Sequence, residues 1–153
     1  NNGYRVTYAG HSMGGAVGVL AASKDERIRN LISLAGMVNT KNFYDREFGE
    51  EKPDEGCMWE EPSCPLSSTY KNDMYTIGSV AAMASEVKVP WLLIHGDADD
   101  VVPIEDSREI FAHANEPKKI IEIPGANHVF SEDGLGPMSE SVIDWIGEIL
   151  RES

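Results

Sequence analysis

The sequence predicts an α/β fold: a partial, parallel, doubly wound sheet of four strands, interrupted by one long lid-like insertion. Three observations carry that expectation. Short β-prone runs alternate with helical stretches, the pattern of strands joined by helical crossovers. The first strand is closed by Gly10-His11-Ser12-Met13-Gly14-Gly15, a glycine-flanked serine placed between a strand and a helix. Two later strands each run into a polar loop, one rich in aspartate and one holding a histidine.

The elements follow in order. Tyr4-Arg5-Val6-Thr7-Tyr8-Ala9 is β-prone and predicts a strand over about 4–9. The small apolar run Ala16-Val17-Gly18-Val19-Leu20-Ala21-Ala22 predicts a buried helix over about 13–24. Asn30-Leu31-Ile32-Ser33-Leu34-Ala35 predicts the second strand, ending near Gly36. Residues 37–88 form an excursion too long for a simple connection. Pro90-Trp91-Leu92-Leu93-Ile94-His95-Gly96 reads as a strand buried on both faces, followed by a helix over about 104–115. Lys118-Lys119-Ile120-Ile121-Glu122-Ile123 predicts the fourth strand. Val142, Trp145, Ile146 and Ile149 recur at helical spacing, which predicts a final amphipathic helix over about 139–151.

Strand, G-x-S-x-G, helix is the context of a nucleophile elbow. The turn is sharp, so Gly10 and Gly14 are expected where a Cβ would meet neighbouring backbone. Ser12 then stands at a strand end, beside a helix N-terminus that favours negative charge. A serine hydroxyl needs a base, and the base needs an orienting group. Of four histidines, His128 is the candidate base: it lies in the loop Pro124-Gly125-Ala126-Asn127-His128-Val129-Phe130, after the last strand. His11 is expected to be a structural or pocket-wall residue, His95 to make turn hydrogen bonds, and His113 to be exposed on a polar helix. The acid is open among Asp97, Asp99 and Asp100, which crowd one loop. Both loops lie past the C-terminal ends of parallel strands, where open α/β sheets build their sites. The backbone N–H of Met13, the residue after the nucleophile, is the expected oxyanion donor.

With these segments in hand the chain resembles the α/β-hydrolase superfamily, in its C-terminal half. The resemblance rests on G-H-S-M-G-G, I-H-G-D-A-D-D-V-V-P and P-G-A-N-H-V-F, in the order serine, acid, histidine, and covers essentially the whole chain. It is greatest to small carboxylesterases and dienelactone-hydrolase-like members. Cinnamoyl- and feruloyl-esterase-type enzymes and the hydrolase domain of prolyl-oligopeptidase-like peptidases are also similar. The family pattern G-x-x-D-x-x-V-P selects Asp99 through Gly96, Val102 and Pro103, leaving Asp97 to brace the turn and Asp100 to face solvent. The resemblance implies a serine hydrolase that cleaves small carboxylic esters through an acyl-enzyme, using Ser12, Asp99 and His128 and no cofactor. A peptidase of the prolyl-oligopeptidase kind, or a non-catalytic binding module, is the alternative. The family places its second oxyanion donor well before the elbow, and here the elbow begins at residue 10. The chain 1–153 is therefore read as the C-terminal portion of one hydrolase domain, poorly active by itself. Residues 37–88 are read as a lid within it, with Phe43, Tyr44, Trp59 and Tyr75 as candidates to touch substrate and a helix from about Asn72 to Glu86.

Composition sets the outer bounds. One domain accommodates 153 residues, and 41% hydrophobic residues suffice for a core. A formal charge of −13 makes nucleic acid and anionic membranes poor partners. No apolar run is long enough to span a bilayer. Cys57 and Cys64 are expected as free thiols, with a local disulfide left open. No metal is expected, since the aspartate loop lacks the offsets of a calcium loop and the cysteines lack further zinc ligands. No signal peptide is visible in a chain that opens on Asn1; a cytoplasmic setting is favoured, with an export signal upstream left open. Nothing in the sequence fixes the oligomeric state.

Overall fold

Four strands pair in the order β1 (Val6–His11), β2 (Ile28–Leu34), β3 (Trp91–Gly96), β4 (Lys118–Ile123), every pair parallel, in a computed structural model that describes residues 5–151. Tyr4, expected to open the first strand, lies outside the described residues. The strand continues past Ala9 to His11, because the elbow turns only at Ser12.

The sheet is covered on both faces. Alternate residues of a strand point to opposite sides, so one face presents Ser33, Trp91 and Leu93 and the other Ile32, Leu92 and Ile94. Gly15 and Val19 of α1 (Met13–Ala22) and Ser107 and Ile110 of α4 (Ile104–His113) gather against the first set. Trp91 donates its indole N–H to Ser33 Oγ at 3.0 Å within this layer. Trp145 of α5 (Leu135–Arg151) joins Ile32, Leu92, Ile94, Ile123, Ala126 and Phe130 in the core of the second. All six residues of β3 are buried, as a central parallel strand requires. α5 starts earlier than the apolar spacing indicates. Its first turn holds Leu135, Gly136 and Pro137, and a proline is tolerated where the N–H has no helical partner.

Residues 39–80 form a second compact unit. It contains α2 (Thr40–Phe48) and α3 (Ser68–Ile77). Phe43, Tyr44, Phe48, Leu66 and Met74 are buried in it. Thr40 Oγ1 donates to the Met74 carbonyl at 2.7 Å, and Ser67 caps α3 by accepting from the Tyr70 N–H. The expected helix from Asn72 to Glu86 is corrected: α3 runs from Ser68 to Ile77, Gly78 turns the chain, and Ala81–Glu86 form a separate 3-10 turn. α2 was hidden among acidic residues. Its apolar side is only Phe43, Tyr44 and Phe48, and Lys41 paired with Asp45 supports the exposed side. Cys57 and Cys64 are free thiols.

One glycine reading is upheld and one corrected. A Cβ on Gly10 would lie 2.1 Å from the Gly14 carbonyl oxygen, a backbone atom with no freedom to retreat. A Cβ on Gly14 would meet nothing nearer than Tyr8 Oη at 3.9 Å. The crowding is one-sided because Gly10 lies under the first turn of α1 while the Cα of Gly14 faces outward from it. Gly10→Ala is expected to destabilise by about 1–3 kcal/mol, the usual overpacking range. Gly14→Ala is expected to be neutral or stabilising, since alanine favours the helix. Denaturant unfolding of the two variants separates them, and equal losses would refute the distinction.

Candidate active site

Ser12 stands between β1 and α1 at φ 55° and ψ −120°, a conformation a residue with a Cβ adopts only under constraint. The constraint is visible in its backbone bonds. Ser12 N–H donates to the Leu34 carbonyl at 3.0 Å, and its own carbonyl accepts from Gly15 N–H and Met37 N–H, each at 2.9 Å. Tyr8 Oη adds a bond to the Gly14 carbonyl at 3.1 Å. Met13 opens α1, so its N–H has no carbonyl four residues back inside the helix to bind. Among the described residues Ser12 Oγ makes no hydrogen bond.

The aspartate and histidine loops are laced together. Asp97 N–H donates to the Ile123 carbonyl and Ala98 N–H to the Ala126 carbonyl. Gly96 permits this approach, since a Cβ there would lie 2.0 Å from the Ala126 oxygen. Asp97 Oδ1 accepts from Gly125 N–H at 2.6 Å, which braces the turn. Asp99 points the other way. Its Oδ2 lies 2.8 Å from His128 Nδ1, and its Oδ1 accepts from the N–H groups of Val101 and Val102 at 2.9 and 2.8 Å. Its side chain is fully buried and that of His128 nearly so. Burial pushes the Asp99 carboxyl up, but hydrogen bonds from His128, His95, Val102 and Val101 outweigh it and hold the group well below the usual carboxylate range. Asp100 is exposed.

His128 is held between two buried residues of its loop, Ala126 and Phe130. It is also tied to the elbow through His11. His11 Nε2 donates to the His128 carbonyl at 2.8 Å, and the two rings lie 4.7 Å apart. The structure thus joins Asp99 to His128 directly, and His128 to the elbow through the neighbour of Ser12. His113 is exposed.

Of the insertion aromatics, Phe43 and Tyr44 are buried, stacking edge-on with Phe48, whereas Trp59 is 61% and Tyr75 40% exposed. Trp59 donates its indole N–H to Glu47, and Tyr75 its hydroxyl to Asp45. Two contacts were not legible in the sequence. His11 meets His128 across 117 positions, which no local pattern encodes. His95 makes the expected turn bond, to the Val102 carbonyl at 2.9 Å, but its Nε2 also lies 3.1 Å from Asp99 Oδ2. The spacing of histidine and aspartate in H-G-D-A-D was the available signal for the second.

A strand–serine–helix elbow on a parallel sheet, with a carboxylate–histidine pair at the same edge, defines the α/β-hydrolase class. Within it, the model of the prolyl oligopeptidase family matches residues 2–153, and the chain belongs to that family. It is 30% identical over 154 aligned residues to the uncharacterized protein YfhR of Escherichia coli K12, which covers 98% of this chain and 48% of YfhR. The chain spans about half the length of the curated relatives it matches over nearly its whole extent. Among solved structures it is similar to Est1E from Butyrivibrio proteoclasticus, at 28% identity and a TM-score of 0.77, over 94% of this chain and 60% of that one. Est1E has also been solved with ferulic acid bound. A Paleococcus ferrophilus monoacylglycerol lipase, 20% identical over 94% of this chain and 68% of its own, shares the fold at a TM-score of 0.66.

Proposed function

We propose that this chain carries the catalytic centre of a serine hydrolase acting on small or aromatic carboxylic esters. The observation that carries the reading is the buried bond between His128 Nδ1 and Asp99, in a loop tied to the elbow by His11. With Nδ1 donating to the carboxylate, Nε2 is left bare, as a general base must be. Ser12 Oγ attacks the ester carbonyl while His128 Nε2 takes its proton. The Met13 N–H stabilises the tetrahedral oxyanion. Collapse breaks the acyl–oxygen bond, and the imidazolium returns the proton to the leaving alcohol. Water repeats the sequence on the acyl-enzyme, releasing acid and regenerating Ser12. Asp99 keeps the tautomer and balances the charge on the ring.

Residues 1–153 form the C-terminal portion of one hydrolase domain in this proposal. The ester reading is supported by the likeness to Est1E. Any part that the 39–80 unit plays in choosing substrate falls to Trp59 and Tyr75, its exposed aromatics. The family membership favours a second reading, a serine peptidase, which uses the same residues on an amide.

The two separate on a substrate panel with the full-length protein. Turnover of p-nitrophenyl acetate and a hydroxycinnamoyl ester is expected to exceed that of a peptide anilide. The reverse order would establish the peptidase reading instead.

A further inference from the structure

His95 is fully buried at the end of β3, and its ring is held at both nitrogens. The Val102 carbonyl, 2.9 Å from Nε2, can only accept, so the hydrogen-bond network assigns the proton to Nε2. Nδ1 is then free to receive the Ser107 hydroxyl, 2.7 Å away on α4. The ring cannot rotate without losing both bonds in a dry environment, where an unpaired polar group is costly. In this fixed pose Nε2, its hydrogen given to the Val102 carbonyl, also lies 3.1 Å from Asp99 Oδ2. The carboxylate therefore accepts from Val101 and Val102 N–H on Oδ1 and from His128 on Oδ2, with His95 Nε2 close beside Oδ2. Val102 closes the ring, giving its N–H to Asp99 and its carbonyl to His95.

We propose that His95 is a positioning residue for the catalytic centre: its Nε2–H, holding the Val102 carbonyl and lying beside Oδ2, fixes the orientation of the Asp99 carboxylate and thereby the aim of His128. The inference rests on the reading of Asp99 and His128 given above. Without His95, the Val102 carbonyl would lose its donor and Oδ2 its second polar neighbour, so the group that should orient the base would be oriented by it. Ser107 acts one step further out, by fixing the His95 ring. Neither touches substrate, so the effect belongs to kcat rather than KM.

Three variants of the full-length protein test this: His95→Leu, which removes the donor, His95→Gln, which returns an N–H near the Nε2 position, and Ser107→Ala. Two readouts are taken: ester kinetics, and the far-downfield proton resonance of His128 Nδ1–H in the resting protein. His95→Leu is expected to lower kcat about ten- to a hundredfold, the range for a hydrogen bond to a charged group, with KM little changed. Its His128 resonance should move upfield. His95→Gln should recover most of both. Unaltered kcat and resonance in His95→Leu would overturn the proposal, as would a folded His95→Gln no better than His95→Leu, since packing alone would then explain the loss. If His95→Leu does not fold, Ser107→Ala decides: a shifted resonance and a severalfold lower kcat support the proposal, and no change in either refutes it. The resonance requires no turnover. A wild-type protein inactive on every acyl substrate would count against the proposed function, while the His95–Asp99–His128 linkage would still be read directly.

Discussion

Ser12→Ala in the full-length protein is expected to lower ester turnover by roughly a millionfold, the scale seen when a triad nucleophile is removed. The loss is chemical rather than structural. The bonds that lock the elbow run through the Ser12 backbone N–H and carbonyl, which alanine retains. Ser12 Oγ has no hydrogen-bond partner among the described residues, so its removal leaves no buried group unsatisfied. Alanine tolerates the φ of 55° no worse than serine does. Unfolding curves of the two proteins should therefore nearly superimpose while activity disappears. A fluorophosphonate probe should label the wild-type protein at Ser12 and leave the variant unlabelled. Labelling at another residue, or substantial residual turnover, would remove Ser12 from the nucleophile's place.

The strands and the elbow were legible because their signals are local. Trp91 to Ile94 is a continuous apolar run that suits a strand buried on both faces, and Gly10 to Gly15 is a turn whose spacing is its chemistry. The roles of Asp97 and Asp99 were not local in this sense: the residues left the acid open among three aspartates, and the resemblance to the family pattern singled out Asp99, which here bonds His128 while Asp97 braces the turn. What was not legible depends on chain path. His11 meets His128 only because β1 and β4 deliver their loops to one edge of the sheet. His95 reaches Asp99 only because the loop folds back and sets the Val102 carbonyl against the ring's Nε2. α2 was obscured for another reason: its few apolar residues are outnumbered by charged ones, and its order comes from packing within its own unit. The roles of the two elbow glycines differ for a reason visible only in three dimensions, the direction in which each Cα faces the first turn of α1.

Asp99→Asn is expected to lower kcat by about three to four orders of magnitude, through the histidine tautomer. The surrounding bonds dictate which way the new amide turns. Val101 and Val102 both donate to Oδ1, so the asparagine oxygen must stay there. Its NH2 then occupies the Oδ2 position and presents donors to His128 Nδ1 and to His95 Nε2–H. His128 can relieve the clash by moving its proton to Nε2, which disables it as acceptor for Ser12. Asp97→Asn should cost far less, because an amide oxygen still accepts from Gly125 N–H. Asp100→Asn should be near neutral at an exposed site. The same variant reports on acid stability. The native Asp99 carboxyl is held below the ordinary aspartate range, so its stabilising contribution is full above about pH 4 and lost as pH falls through its lower native value. Asparagine has no such titration. The stability difference between wild type and Asp99→Asn should therefore shrink on acidification below pH ~4. Greater sensitivity at position 97 or 100, or a difference independent of pH in that acid range, would show that Asp99 is not the ionised partner of His128.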